Sequence, residues 1–409
     1  VAQITGRHAQ LFGLPEGIIA DFGAAHKRSR DVADGRTKGV HYLMKKNGIQ
    51  QFAGSGVFRS ATELEVQSTD GAIVATVEFG SAIIATGSTV RSLPGVEFGS
   101  RVTGYVEKVL AESLPERLVV IGAGPIGIEY ACVAASFGSQ VTVVEYQDRI
   151  LPLEDPDVSA ELAKSLKKLG IRFVTSAKVT AATETAELAA VSYLNANDEP
   201  QSIEADQVLV AVGFSPSVAG FGLEHTGVEL AANGAIAVDG QMRTSVPNIY
   251  AIGDVTAKLA LAHVAEAQGI LAAEAIATDT SRTITDYSSM PRAVYSTPQV
   301  ASVGLTEAAA AEAVGELLVA KFPFVANGKA HAIADAQGFV KLVASASTRT
   351  IVGAHLVGPD VSELLPELSL AMQSGTTIDE LATVVHAHPT LSESLQEAFH
   401  GLAGHMINF

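Results

Sequence analysis

The sequence predicts an α/β protein with a Rossmann-like parallel sheet in its middle and an α+β region at its C-terminal end. Three observations carry this. Residues 118–145, LVVIGAGPIGIEYACVAASFGSQVTVVE, read as strand, tight glycine turn, helix and a second strand ending in an acid. Residues 207–213, QVLVAVG, are a further apolar run of buried-strand character. Beyond Pro291 the pattern changes to separated strands and amphipathic helices, the mark of a separate α+β layer.

The glycine turn has the most specific chemistry. Gly122, Gly124 and Gly127 stand in G-x-G-x-x-G spacing. Glycine allows the tight turn at the first position, close approach of a diphosphate at the second, and close helix–strand packing at the third. A diphosphate would lie at the helix N-terminus, where unpaired N–H groups and the positive dipole end favour anions. Glu145 follows Gly127 by eighteen residues, where an acid can accept both ribose hydroxyls of an adenosine. A ligand-free glycine-rich junction would not need the second strand and its acid in this order. A membrane span over residues 118–138, which carry one charge, is opposed by the three glycines, Pro125 and the β-branched run that follows.

Composition narrows the classes. A chain of 409 residues is long enough for two or three domains with substantial cores. A hydrophobic content of 47% with 17% charged residues fits a well-buried α/β protein. The net charge of −17 argues against nucleic acid or an anionic membrane surface as partner. No signal peptide or uninterrupted apolar span is visible, so a cytoplasmic protein is expected. The single cysteine, Cys132, rules out a disulfide or CxxC metal site within these residues, and no metal is expected. Its place inside the helix after the glycine turn predicts a buried structural residue.

Along the chain, residues 1–50 look helical, with Val32, Val40, Leu43 and Met44 on a broken apolar stripe among Lys and Arg, so a solvated helix face is expected. Residues 49–79 alternate as a β-meander, with Gly54-Ser55-Gly56 read as a turn. Residues 81–87 are an apolar strand running into glycine. Residues 156–169 have helical period and Gly170 stops them. Residues 195–200 read as a hairpin, and residues 248–254 as a strand ending in glycine and Asp254. On the residues alone, Asp254 is equally a ligand position and an ordinary strand-end turn. Helices are expected at 263–277, 362–372 and 378–385, and strands at 338–344 and 351–357.

These segments, with IIATGS at 83–88, AVGFSP at 211–216, ALAHVAEAQG at 260–269, KFPFVANGKA at 321–330, HAHPTLSE at 386–393 and a terminal INF, occur in one order over the whole chain. In that order the chain resembles the flavoprotein disulfide reductases, and among them the dihydrolipoamide dehydrogenase family. The resemblance implies an FAD domain interrupted by an NAD domain, then a dimerisation domain. The expected boundaries are 1–116 and 241–290 for FAD, 117–240 for NAD and 291–409 for dimerisation. It further implies FAD contacts at Gly56, Thr86, Gly87, Ser88, Asp254, Ala260, Leu261, Ala262 and His263. The NAD contacts it implies are Gly122, Ala123, Gly124, Pro125, Ile126, Gly127, Ile128, Glu129, Glu145, Val179 and Gly213. A preference for NAD over NADP follows from Glu145, whose charge would face a 2′-phosphate.

In HAHPTLSE, a histidine can accept a thiol proton near neutral pH and a carboxylate can hold its tautomer. The resemblance makes His388 the base and Glu393 its orienter, and gives His386 no role. On the residues alone, Thr390-x-x-Glu393 is a capping box for a helix over 394–402. The resemblance also implies a cis His388–Pro389 bond and a homodimer in which His388 of one subunit serves the disulfide of the other. The partner it implies is a lipoyl domain of a 2-oxo-acid dehydrogenase complex or of the glycine cleavage system. Two departures stand out. Phe214 occupies a position where the family often has arginine, and the family's first FAD-binding glycine motif, redox cysteine pair and following lysine are not among these residues. The expectation is therefore an N-terminally truncated chain, inactive as written, with Glu129 lacking the lysine partner.

Overall fold

The computed structural model describes residues 10–13 and 20–409. The helical expectation for residues 1–9 and 14–19 lies outside them. The described part of that stretch holds a 3-10 turn, Gln10–Phe12, and one helix, Phe22–Lys46, with no buried residue, in keeping with a solvated face. Among the described residues no helix is long and apolar enough to cross a membrane. Two compact units divide the chain: one of residues 1–24, 91–213 and 288–409, the other of residues 25–90 and 214–287.

The first unit holds a five-stranded parallel sheet in the order Val102–Thr103, Gln207–Val210, Arg117–Ile121, Gln140–Val144, Arg172–Val174. Its strands are near-continuous apolar runs because both faces are covered. The helices Pro125–Ser136 and Pro156–Lys168 supply one cover through Ile128, Val158, Leu162 and Leu166, all fully buried. The antiparallel sheet Lys178–Glu184, Ala189–Leu194 and Pro200–Ala205 supplies another through Val191 and Tyr193. The expected hairpin at 195–200 connects the last two of these strands.

The parallel sheet does not coincide with residues 117–240. Val102–Thr103 hydrogen-bonds into the parallel sheet beside Val208 and Leu209, so the sheet begins earlier. Phe214–Pro216 pairs instead with Ser88–Val90 in the other unit, so the sheet's segment ends at Gly213.

Residues 288–409 of the same unit form an antiparallel five-stranded sheet, ordered Arg292–Val294, Gln299–Gly304, Ile351–Gly358, Phe339–Ser345, Leu317–Pro323. All seven residues of Phe339–Ser345 are buried. One face packs on Leu365, Leu368, Leu395 and Phe399 of two helices. From the other, Val294, Val300, Phe339 and Val357 join the core of helix Pro156–Lys168. Two expected helices are shorter than their patterns. The first begins at Leu365 behind a 3-10 turn, because Pro366 is tolerated only in a first turn. The second ends at Leu381, where the β-branched Thr383, Val384 and Val385 disfavour continuation.

Within this apolar packing runs one polar row. Lys321, Lys341, His355, Ser302 and Arg292 are successive cross-strand partners across the C-terminal sheet. Lys341, with a side chain only 5% exposed, donates to both oxygens of fully buried Asp155 at 3.0 and 3.1 Å. It also reaches Asp157 at 3.1 Å and Glu307 at 2.7 Å. Burial by itself would lower the Lys341 pKa, but Glu307, Asp155 and Asp157 outweigh it and hold the ammonium well above its ordinary value. A raised folded-state pKa means the pair's stabilisation is fully present below the ordinary lysine value and fades only in strong alkali.

The second unit contains the meander Ser55–Phe58, Glu63–Gln67, Ile73–Glu78 and a parallel pair, Ala82–Ile84 with Ile249–Ala251. Phe58, Ile84, Phe221, Leu223, Ile249 and Val255 are its core. The expected turn at Gly54-Ser55-Gly56 is instead the start of a strand: Ser55 pairs with Gln67 and Gly56 with Val66, so the chain is extended there.

Replacing Lys341 with Met strands a buried carboxylate, and we expect a loss of about 3–5 kcal/mol. Urea unfolding of Lys341→Met, Asp155→Asn and the double variant checks this. The double variant should recover part of the loss, since both charges then leave together.

Candidate active site

The strand Arg117–Ile121 runs into the glycine turn, and helix Pro125–Ser136 starts from Gly124. Gly122 has φ +102°, and a Cβ there would strike the carbonyl oxygen of Ala211. A Cβ on Gly127 would strike the carbonyl of Gly122, so this glycine sets how closely helix and turn approach. At Gly124 a Cβ would meet nothing within 4 Å: the backbone faces open space beside the helix's first turn. No side chain caps this N-terminus. The three glycines thus sit in three different environments.

Glu145, 8% exposed, closes the turn. Its Oε2 accepts the Ala123 N–H at 2.6 Å and its Oε1 accepts the Gln147 N–H at 2.7 Å. Each oxygen keeps a further lone pair. Beyond it lies a cleft of about 710 Å³, lined by residues including Tyr146, Asp148, Arg149, Lys178 and Asp198. Arg149 is engaged there by Asp148 at 3.1 Å and the Pro152 carbonyl at 3.3 Å.

Of the other residues the resemblance gave to NAD, Ala123 and Ile128 are fully buried in the core. Pro125 is exposed at the start of the helix, Ile126 is half-buried, Val179 packs partly on the core, and Gly213 is exposed beyond its strand. Glu129 Oε1 accepts the Tyr295 N–H at 2.8 Å. Burial still pushes its carboxyl pKa up, against that hydrogen bond. Cys132 is buried, and burial pushes its thiol up to about 11.

In the second unit, residues far apart in the chain converge. Ser88 Oγ donates to Asp254 Oδ2 at 2.8 Å, and Thr86 Oγ1 donates to the Ser217 carbonyl at 2.7 Å. Gly87, at φ +69°, turns the chain between them. Ala260, Ala262 and His263 are exposed and Leu261 half-buried at the start of helix Ala262–Ala277, which no side chain caps. Gly56 lies in the exposed part of its strand. Sequence reasoning missed Gln268, 1% exposed, whose Oε1 accepts the Gly253 N–H at 2.7 Å and whose Nε2 donates to Tyr287 at 2.9 Å. It braces the turn that presents Asp254, and no local pattern marks it.

His388 and Glu393 meet: Nδ1 to Oε1 is 2.8 Å. A carboxylate only accepts, so Nδ1 carries the proton and, in the neutral ring, Nε2 presents its lone pair. The His388 side chain is 78% exposed, open to a reacting partner. The His388–Pro389 bond is cis, as is Thr297–Pro298. Half of the expected capping box forms. Glu393 Oε2 accepts the Thr390 N–H at 2.8 Å, while the Thr390 hydroxyl donates to the Ala387 carbonyl instead. The helix starts at Glu393, one residue early, with Ser392 at its N-cap. Glu393 thus has one oxygen on the backbone and one on the imidazole. Burial would raise its pKa, but Thr390 and His388, with a contribution from His386, hold it below the usual carboxylate range. Sequence reasoning also missed Glu367, which takes His386 Nε2 at 3.0 Å.

A depressed carboxylate pKa contributes stability above the ordinary value near 4.3, and that contribution is lost as pH falls through the folded value. We expect the melting temperature of Glu393→Gln to fall less than that of the parent between about pH 6 and about pH 4. Thermal unfolding by circular dichroism at both pH values measures it.

Residues 5–269 match the family model described as pyridine nucleotide-disulphide oxidoreductase, and residues 290–399 match that family's dimerisation domain. The chain is 48% identical over 411 residues to a dihydrolipoyl dehydrogenase of Mycobacterium leprae, covering all of this chain and 88% of the relative. It is 40% identical over 393 residues to one of Geobacillus stearothermophilus, covering 96% and 83%. Among solved structures it is similar to LpdA from Mycobacterium tuberculosis, with TM-score 0.87 and 28% identity over 97% of this chain and 86% of that one. The HOCl-induced flavoprotein disulfide reductase RclA from Escherichia coli gives TM-score 0.85 at 27% identity over 98% and 88%. A family match over most of the length and relatives of this likeness over nearly all of it agree with the glycine turn and the two-unit fold: the chain belongs to the pyridine nucleotide-disulphide oxidoreductases and carries their dimerisation domain.

Proposed function

We propose that the chain is a dihydrolipoyl dehydrogenase-type flavoprotein, oxidising a dihydrolipoyl group and reducing NAD⁺. It would act in the cytoplasm as a homodimer, with a lipoyl domain of a 2-oxo-acid dehydrogenase complex or of the glycine cleavage system as partner. The observation that carries this reading is the exposed His388 held at 2.8 Å by Glu393. With Nδ1–H fixed on the carboxylate, Nε2 is free to take the proton of a dihydrolipoyl thiol. Proton removal leaves a thiolate, the species that attacks a disulfide. As His388 becomes an imidazolium, Glu393 stabilises the new charge and, through Thr390, keeps the ring from turning away.

The residues fit both cofactors. The open backbone at Gly124 and the uncapped helix N-terminus suit the NAD diphosphate, with Glu145 at the adenosine ribose. The Ser88–Asp254 pair at a braced turn suits an FAD hydroxyl, with Gly56, Thr86, Gly87 and residues 260–263 as further contacts. FAD, when bound, supplies the electron transfer between the dithiol and NAD⁺.

Glu145 favours NAD over NADP, since a 2′-phosphate would meet a buried carboxylate. The cleft's cations, Arg149 and Lys178, share it with Asp148 and Asp198. Titration of the full chain should give an affinity for NAD on the order of tenfold or more above that for NADP. Gly124→Ala should weaken NAD binding while leaving stability within about 0.5 kcal/mol. Tighter binding of NADP would overturn the role given to Glu145.

A second reading, a non-catalytic NAD-binding protein, has one observation in its favour. The single cysteine is buried, and its thiol is held at about 11, so these residues contain no disulfide to receive electrons. The 409-residue chain by itself is therefore expected to form no NADH from dihydrolipoamide and NAD⁺. Flavin absorbance and NADH formation by the purified chain test this. A yellow protein that turns over would place the redox centre elsewhere.

A further inference from the structure

The loop that carries His388 holds a second histidine–carboxylate pair of opposite character. His386 Nε2 lies 3.0 and 3.3 Å from the two oxygens of Glu367, on helix Leu365–Ser374. Its Nδ1 lies 3.2 Å from the Val384 carbonyl oxygen. A carboxylate and a carbonyl can only accept, so two hydrogen bonds require a proton on each ring nitrogen. The His386 side chain is 5% exposed, where an unpaired charge would be costly and a paired one is retained. The groups against it are few: Glu367 on one helix, Phe399 on another with ring centroids 6.2 Å apart, and the Val384 carbonyl on its own loop; the titratable His388 and Glu393 follow along the chain. None of the groups in direct contact with the ring is a cation.

We propose that His386 is a positioning residue, held as an imidazolium on Glu367 so that the loop carrying His388 stays fastened to helix Leu365–Ser374. This rests on the reading of His388 as the proton acceptor. The buried pair ties residues 384–386 to helix Leu365–Ser374, and the exposed pair ties 388 to helix Glu393–Leu402. The loop is therefore pinned on both sides of Ala387, and the two histidines divide the work: one keeps its proton, the other exchanges it. The Glu367 hydrogen bond, opposed by burial, holds the His386 pKa above its ordinary value, in accord with this division.

The test uses the full chain labelled with ¹⁵N-histidine. At about pH 7.5, a unit above the ordinary histidine value, both His386 ring nitrogens should give the shifts of N–H groups. His386→Gln should loosen the loop, so that the His388 Nδ1–H signal broadens or is lost through faster exchange, and His386→Lys, which restores a cation to Glu367, should bring it back in part. Glu367→Gln keeps the shape of the pair and removes only its charge. If the histidine variants fold poorly, it should still let His386 deprotonate at lower pH. A neutral His386 ring at about pH 7.5, or a His388 Nδ1–H signal unchanged by His386→Gln, overturns the proposal. These readouts need no turnover. A failure of the catalytic reading would instead appear as dihydrolipoamide oxidation that survives His388→Gln in a chain supplied with a redox cysteine pair, with the His386 spectra unchanged.

Discussion

The contact on which the first unit most depends is the buried pair of Lys341 and Asp155. Asp155 is the N-cap of helix Pro156–Lys168, accepting the Asp157 N–H at 3.0 Å, and it is fully buried. Lys341 comes from the middle of the most buried strand of the C-terminal sheet. One cation therefore satisfies the cap of a helix that covers the parallel sheet and fixes the C-terminal sheet against it. Apolar packing around the pair is continuous, from Val158 and Leu162 to Val300, Phe339 and Val357, but such packing is tolerant of sliding. A buried ion pair is not, since a shifted partner leaves a charge without compensation. The same sheet carries on its other face the helices that hold Glu367 and Glu393.

Acids do similar work elsewhere. Glu145 accepts two backbone N–H groups across the glycine turn, and Glu397 holds the tail through Ile407 and Asn408. Glu184 gathers the N–H groups of Ser100, Arg101 and Val102, which bring its pKa down to about 2. Glu393 follows the same rule with one oxygen and turns the other to His388. A carboxylate bound to the backbone has a fixed direction, and that is what a base needs from its orienter. Part of the chain's excess of acids is thus spent inside the fold, on hydrogen bonds to the main chain.

What could be read in the sequence was local. The glycine spacing, the β-branched strands and the apolar helix periods depend on residues within a few turns of one another, so their patterns survive without a fold. Errors fell where a tertiary neighbour decided. Gly54 and Gly56 looked like a turn until Gln67 and Val66 paired beside that segment. The parallel sheet looked closed by residues 117–240, yet it recruits Val102–Thr103 and releases everything after Gly213. The capping box at Thr390 was read from spacing alone, and only half of it formed: Glu393 takes the Thr390 N–H, while the hydroxyl donates to the Ala387 carbonyl.

The sequence by itself determined the α/β class, the glycine turn with Glu145 at its far end, the family, and the short motif that holds His388 and Glu393 five residues apart. The turn and the His388–Glu393 motif are matters of residue type at short range, where chain geometry leaves little choice, and the family follows from the order of many such local segments along the chain. The tertiary structure alone decided that Ser88 meets Asp254, that Gln268 braces the turn beneath them, that Glu367 claims His386, and that Lys341 closes on Asp155. The last of these spans 186 residues of chain. Nothing in the spacing of such partners foretells their meeting, because their encounter is set by how sheets and helices stack and not by the chain between them.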